Sequence, residues 1–252
     1  MTALLELQGL AKRFGQVVVA DGVDLTVRAG EAIGIVGPNG AGKSSLFAMI
    51  SGDLPPDAGH IRFEGADMTG MPAHRRCRDG IGRTYQVPRP FEKMTVFENV
   101  LVPATQGAGL RGQAAADRAA QVLGTAGLYN VANARAGSLS LLQRKRLEVA
   151  RGLATSPKLL LLDEVAGGLT DPEVHELVEL ISEVKSEGVA VVWIEHVVHA
   201  LVKSVDRLLC LAGGRFVADG LPEDVLNDPA VLELYFGTGP DLAPANDKEA
   251  LQ

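Results

Sequence analysis

Eight consecutive residues of this 252-residue chain have the types and spacing to hold a nucleotide's phosphates. Gly37-Pro38-Asn39-Gly40-Ala41-Gly42-Lys43-Ser44 fits the pattern G-x-x-x-x-G-K-[ST]. Glycines so spaced let the backbone curl until successive N–H groups face one anion. Lys43 can reach the β- and γ-phosphates, and the Ser44 hydroxyl can ligate Mg²⁺. Ser45 carries the nucleotide-binding stretch into a helix, whose start adds partial positive charge. A second group of candidates is acidic. Asp163 suits Mg²⁺, and Glu164 suits polarising a water for attack on the γ-phosphate. Gln86 could complete a Mg²⁺ shell or hold that water, or be a surface glutamine. His196, taken alone, fits a structural histidine as well as a catalytic one. Phe14 offers either a flat face for adenine or a loop anchor.

Each of these groups needs an element to place it. Ala32-Ile33-Gly34-Ile35-Val36 reads as a buried strand, and Ser45 to Ile50 reads as a helix, so the glycine loop has the strand–loop–helix context it requires. Leu159-Leu160-Leu161-Leu162 is apolar throughout, as expected of a parallel strand buried on both faces. It ends in Asp163-Glu164, and ligands of α/β sheets sit at such strand ends. Val189 to Ile194 is a similar run, and His196 follows it. Ile81 to Gln86 reads as a strand with Gln86 at its end, before Pro88 and Pro90 break regular structure. Leu4 to Gln8, Val17 to Ala20 and Val23 to Val27 read as separate N-terminal strands, and Ile61 to Phe63 as another.

Between the strands lies a helical stretch, about 88–154, inserted into a core made of 1–87 and 155–237. Glu98 to Val102 and Ala114 to Leu123 have helical spacing, with a glycine-rich joint from Gly107 to Gly112. Its last helix opens with Leu139-Ser140-Leu141-Leu142-Gln143. Ser140 and Gln143 fit a capping box, and Arg144, Lys145 and Arg146 read as a basic edge. Pro172 suits a first helical turn, and Gly188 a stop. Val205 to Leu211 and Arg215 to Ala218 read as a hairpin, followed by two short helices near Glu223 and Val231. Residues 238–252 read as a disordered tail. The formal net charge of -7 argues against a nucleic-acid partner, which usually needs a basic face. Two distant cysteines read as reduced thiols. Neither a signal peptide nor a membrane-spanning run is visible in the sequence.

In this order and spacing the motifs resemble the ATP-binding subunit of an ABC transporter, over roughly Leu4 to Gly237. Gly37 to Ser44 correspond to Walker A and Leu159 to Asp163 to Walker B. Glu164 matches the catalytic glutamate, Gln86 the Q-loop, His196 the switch histidine, Gly167 to Thr170 the D-loop, and Phe14 the adenine-stacking aromatic. The resemblance implies an α/β P-loop NTPase cassette with a mixed β core, an antiparallel β subdomain and an inserted α-helical subdomain. It implies ATP and Mg²⁺ as cofactors and an ATP hydrolase. Gly82-Arg83-Thr84-Tyr85-Gln86, Thr95 to Val100 and the ending Val231 to Gly237 are similar to the ATPases of branched-chain amino-acid importers, whose relatives also move urea, amides or aromatic acids.

That subgroup implies integral-membrane permease subunits, a second ATPase subunit, an indirect substrate-binding protein and a peripheral place on the cytoplasmic face of the inner membrane. The alternatives are a lipopolysaccharide-type exporter ATPase and a weakly hydrolysing nucleotide switch. A non-transport ATPase of DNA repair or translation would usually bring a long coiled-coil insertion or two cassettes in one chain, and neither is here. One position departs from the family pattern. The signature L-S-G-G-Q, whose Ser140 and Gln143 would contact ATP held by another cassette, has Leu142 in place of its second glycine. A heterodimer with one weakened ATP site is the expectation.

Overall fold

The structure is a computed structural model and describes residues 3–236, so the expected tail lies outside the described residues. The chain starts with β1 (Ala3–Phe14), β2 (Val17–Arg28) and β3 (Ala32–Val36). Then come α1 (Lys43–Ser51), β4 (Ala58–Phe63), β5 (Ala66–Asp67), α2 (Ala73–Arg78) and β6 (Ile81–Arg83). Three helices follow, α3 (Val96–Gln106), α4 (Gly112–Thr125) and α5 (Leu141–Ala154). The rest runs β7 (Leu159–Asp163), α6 (Asp171–Ser186), β8 (Ala190–Ile194), α7 (Val198–Val202), β9 (Arg207–Ala212) and β10 (Arg215–Gly220). It closes with α8 (Pro222–Leu226) and α9 (Pro229–Phe236).

The strands form two sheets. One is antiparallel, in the order β2-β1-β4-β5. The other runs β10-β9-β3-β8-β7-β6 and is parallel except for its β9–β10 edge. Its inner strands are apolar throughout because both faces are covered. Leu159 and Leu161 join Ile33, Ile35, Val192 and Ile194 in a core shared with α1 and the antiparallel sheet. Leu160 and Leu162 join Val191 and Trp193 in a second core with α3 to α6. Period two along each strand divides the residues between the two cores. In the helical part, Val96, Val100 and Ala104 of α3 meet Ala115, Ala119 and Val122 of α4 and Leu147 of α5. A full capping box starts α3: Thr95 accepts the Glu98 N–H, and Glu98 accepts the Thr95 N–H at 2.7 Å.

Several boundaries differ from expectation: β1 runs past the expected Leu4 to Gln8 and ends at Phe14. Val17 to Ala20 and Val23 to Val27 belong to one strand, β2, because Gly22 takes a left-handed φ of 70° and a register shift absorbs the irregularity. β6 stops at Arg83, so Gln86 is in a loop rather than at a strand end. The Thr84 N–H still reaches the Leu161 carbonyl at 2.9 Å. Beyond it the backbone finds its partners on α5, described below.

One buried cation secures the C-terminal end of α1. Arg76 is 1% exposed, and its guanidinium donates to the carbonyls of Met49, Ile50, Met71 and Thr69 at 2.8 to 3.0 Å. Those of Met49 and Ile50 are carbonyls of the last helical turn, where intrahelical partners run out, and the Met49 carbonyl also accepts the Gly52 N–H at 3.3 Å. Arg76→Met should therefore lower the free energy of unfolding by about 2–4 kcal/mol, because it strands several buried acceptors. Urea unfolding measures this, and a loss below about 1 kcal/mol would show that water replaces the guanidinium.

Candidate nucleotide site

The glycine loop is shaped by close approach of other strands. Gly37 has φ 148°, and a Cβ there would lie 2.0 Å from the Leu211 carbonyl oxygen. Gly42 has φ 104°, and its Cβ would lie 2.0 Å from the Val19 carbonyl oxygen of β2. Neither position admits a side chain. The Ala41 carbonyl accepts the Gly214 N–H at 3.2 Å, and the Gly214 carbonyl accepts the Asp21 N–H at 2.9 Å. The β9–β10 turn thus ties the loop to β2. Helix α1 starts at Lys43 with Gly42 as its N-cap, without a side-chain cap and with no acidic residue in its first turn. Its first N–H groups and its dipole therefore suit an anion. The Lys43 ammonium is buried and donates to the Gly37 and Pro38 carbonyls at 2.7 and 3.0 Å. Burial lowers its pKa, opposed by the charges of Glu164 and Asp163. Asn39, Gly40 and Ser44 are exposed at the mouth, and Ser45 is half-buried behind them.

Asp163 ends β7 and is buried. Its Oδ2 accepts from Arg83 at 3.1 Å, and the same guanidinium reaches Asp53 and Ser51 at the far end of α1. Burial pushes the Asp163 carboxyl up, and Arg83 opposes that shift. Its Oδ1 is buried without a hydrogen-bond partner. An orphaned carboxylate oxygen beside a phosphate loop fits a hard cation such as Mg²⁺.

Glu164 adopts φ 49°, a left-handed conformation that side chains avoid. This turn aims its carboxylate across the strand ends. Oε2 accepts from Gln86 Nε2, and Oε1 lies 2.9 Å from His196 Nε2. Three residues from three chain segments thus meet at one carboxylate. Phe14 stands at the end of β1, half exposed, with the Lys12 ammonium 5.5 Å from its ring centre.

Ser140 and Gln143 form the expected capping box: the Gln143 N–H reaches Ser140 Oγ at 3.3 Å, and Gln143 Oε1 accepts the Ser140 N–H at 3.0 Å. Each side chain accepts the other residue's backbone N–H at the helix start. Leu141 is exposed and packs towards Gly168, and Leu142 is half-buried.

The basic edge expected at 144–146 does not form. Arg144 turns back to the Gly137 and Leu139 carbonyls, and Arg146 pairs with Glu176. Lys145 is buried, and its ammonium donates to the Gln86 and Glu164 carbonyls, each at 3.1 Å. Further along the same face of α5, Arg151 donates to the Arg89 carbonyl at 3.0 Å and to Glu148 at 2.9 Å. Glu148 is buried, and burial pushes its carboxyl pKa up, opposed by the Arg151 guanidinium. The loop that carries Gln86 is therefore gripped through its backbone. Sequence reasoning missed this grip, although Lys145, Glu148 and Arg151 at spacings of three mark one polar stripe on an apolar helix. It also passed over Glu195, a buried carboxylate beside His196.

A parallel-strand glycine loop, a buried lysine and carboxylates at the end of a strand one removed in the sheet define a P-loop nucleotide hydrolase. Residues 20–167 match the family model described as ABC transporter. The chain belongs to the ABC transporter family, and it is an ATP-hydrolysing transport cassette. It is 36% identical over 249 residues to the high-affinity branched-chain amino acid transport ATP-binding protein BraF of Pseudomonas aeruginosa, covering 93% of this chain and 98% of that protein. It is 35% identical over 237 residues to the lipopolysaccharide export system ATP-binding protein LptB of Acidithiobacillus ferridurans, covering 94% and 98%. The fold matches the ADP conformation of the ATP-binding cassette MJ1267 with a TM-score of 0.85 at 30% identity, covering 94% of this chain and 100% of that one. Among the described residues no helix is long and apolar enough to cross a membrane.

Proposed function

We propose that this chain hydrolyses ATP to drive an importer of branched-chain amino acids or related small solutes, from the cytoplasmic face of the membrane. The convergence of Gln86 and His196 on Glu164, beside the glycine loop, carries the hydrolytic reading. The likeness to BraF over nearly the whole chain supports the solute class. The likeness to LptB supports a second reading, export of lipopolysaccharide. Co-purification with a permease pair, followed by solute uptake in vesicles, separates the two. Leucine uptake that depends on this chain supports the importer, and association with a lipid-exporting pair overturns it.

In this reading the loop N–H groups, with Lys43, Ser44 and Ser45, bind the phosphates, and Phe14 stacks on adenine. Ser44, Gln86 and Asp163, through its free Oδ1, would hold Mg²⁺, which neutralises charge on the phosphates when bound. Glu164 accepts the proton of the attacking water as its oxygen adds to the γ-phosphorus and the bond from that phosphorus to the bridging oxygen breaks, releasing ADP. His196 steadies the γ-phosphate and fixes the Glu164 carboxylate. Gln86, in a loop held by α5, relays closure to a permease.

We further propose that the chain pairs with a different ATPase. Ser140 and Gln143 would face ATP held by that partner, and Leu142 brings a side chain where close approach favours glycine. This makes one ATP site weak. Leu142→Gly should then raise turnover of the paired complex about tenfold, equivalent to about 1.4 kcal/mol of barrier. Steady-state phosphate release measures it, and no rise, or a fall, overturns the pairing argument. Hydrolysis by the chain alone that Glu164→Gln abolishes would likewise show that a homodimer tolerates Leu142.

A further inference from the structure

Two buried charged groups behind the site take no chemical step in the scheme above. Lys145, 4% exposed, donates to the carbonyl of Glu164 at 3.1 Å. Glu195, 1% exposed, accepts the N–H of Ala166 at 2.6 Å, the Trp193 indole N–H at 3.2 Å and the His196 N–H at 3.3 Å. The turn from Glu164 to Ala166 is thus held by a cation at one end and an anion at the other. Each group also takes a second residue of the site by its backbone: Lys145 takes the Gln86 carbonyl, and Glu195 the His196 N–H. Glu164 itself donates its N–H to the Ile194 carbonyl at 2.9 Å.

Buried charges are weak stabilisers, and apolar residues of similar volume often serve stability as well or better. Three of their contacts here go to backbone groups of the residues that meet at one carboxylate: the Gln86 and Glu164 carbonyls and the His196 N–H. Each charge lies near enough to favour the other's ionised form, although burial shifts both towards neutrality. We propose that Lys145 and Glu195 are positioning residues, a paired clamp that fixes the left-handed turn at Glu164 and so sets its carboxylate against Gln86 and His196. The proposal rests on Glu164 being the base for hydrolysis. Without the Lys145 contact the Glu164 peptide is free to leave the left-handed conformation, and the carboxylate then swings away from the water it must meet.

The test compares Lys145→Met, Lys145→Gln, Glu195→Leu and Glu195→Gln in the full chain, within whichever assembly hydrolyses ATP, with Glu164→Gln as control. Single-turnover rates, MgATP affinity and the emission of Trp193, the chain's one tryptophan, are read together. Lys145→Met and Glu195→Leu should lower the rate about ten- to a hundredfold, the cost of roughly an ångström of misplacement. MgATP affinity should fall by far less than the rate, because the glycine loop is untouched and, of the residues that would hold Mg²⁺, only Gln86 is held by Lys145. Glu195→Gln, which keeps an oxygen for Ala166 and Trp193, should retain several times the rate of Glu195→Leu. Lys145→Met should also shift the Trp193 emission, since the strain passes through Ala166 to Glu195.

Parental rates in both Lys145 variants would overturn the clamp while Glu164→Gln remains inactive. So would equal losses of rate and affinity, or a failure of all four variants to fold. A parental rate in Glu164→Gln would remove the base itself and overturn both readings.

Discussion

Glu164→Gln should lower the rate of ATP hydrolysis by about two to four orders of magnitude, the range a positioned general base contributes. The replacement has the same shape, and His196 and Gln86 remain beside it. What disappears is the group that accepts a proton as water attacks, together with one of the two acceptor oxygens that face Gln86 and His196. MgATP binding should survive, because the phosphate contacts come from the glycine loop and Lys43 rather than from Glu164. Phosphate release and equilibrium binding measured on one preparation check both halves. A rate within about tenfold of the parent would move the proton acceptor elsewhere, with His196 next in line.

Gly42→Ala should abolish nucleotide binding and lower the melting temperature. A Cβ at this residue would lie 2.0 Å from the Val19 carbonyl oxygen, at a φ of 104°. The obstacle is backbone from another sheet, so no side-chain rotation relieves it. Either β2 moves away or the loop unwinds, and each destroys the geometry that holds phosphate. Gly40→Ala is the matched comparison. It has φ 80° with nothing within 4 Å of its Cβ, so it bears only the left-handed penalty of about 1–2 kcal/mol. Thermal unfolding and calorimetric MgATP binding should separate the two. Equal behaviour of the variants would mean that conformational strain, not contact with β2, limits the loop.

Much of this site was legible in the sequence because its parts are local patterns. A glycine loop between an apolar run and a helix, or two carboxylates closing Leu159 to Leu162, needs no distant partner to be recognised. The same holds for Ser140 and Gln143, whose capping box lies within one turn. Long-range features were less legible. Lys145 carries the same side chain as a surface lysine, and only the approach of the Gln86 and Glu164 carbonyls makes it a buried donor. Arg76 sits in a short helix among Arg75 and Arg78, and nothing in that run marks which arginine caps α1. The break expected between Ala20 and Val23 failed because Asp21-Gly22 also suits a bulge, and the neighbouring strand decides between the two.

The position of β3 in its sheet bears on how the protein is made. β3, which leads into the glycine loop, lies between β8 and β9, and both neighbours are encoded far downstream. The ribosome releases β3 early, but its second partner is complete only at Ala212. At synthesis rates of roughly 5–20 residues per second, that strand waits on the order of ten to thirty seconds with at least one edge unpaired. An unpaired apolar strand is an invitation to the wrong neighbour. Nascent chains stalled before β9 should therefore depend on chaperones. A fragment ending at residue 167, where the family match stops, would leave the phosphate-binding strand with neither of its neighbours.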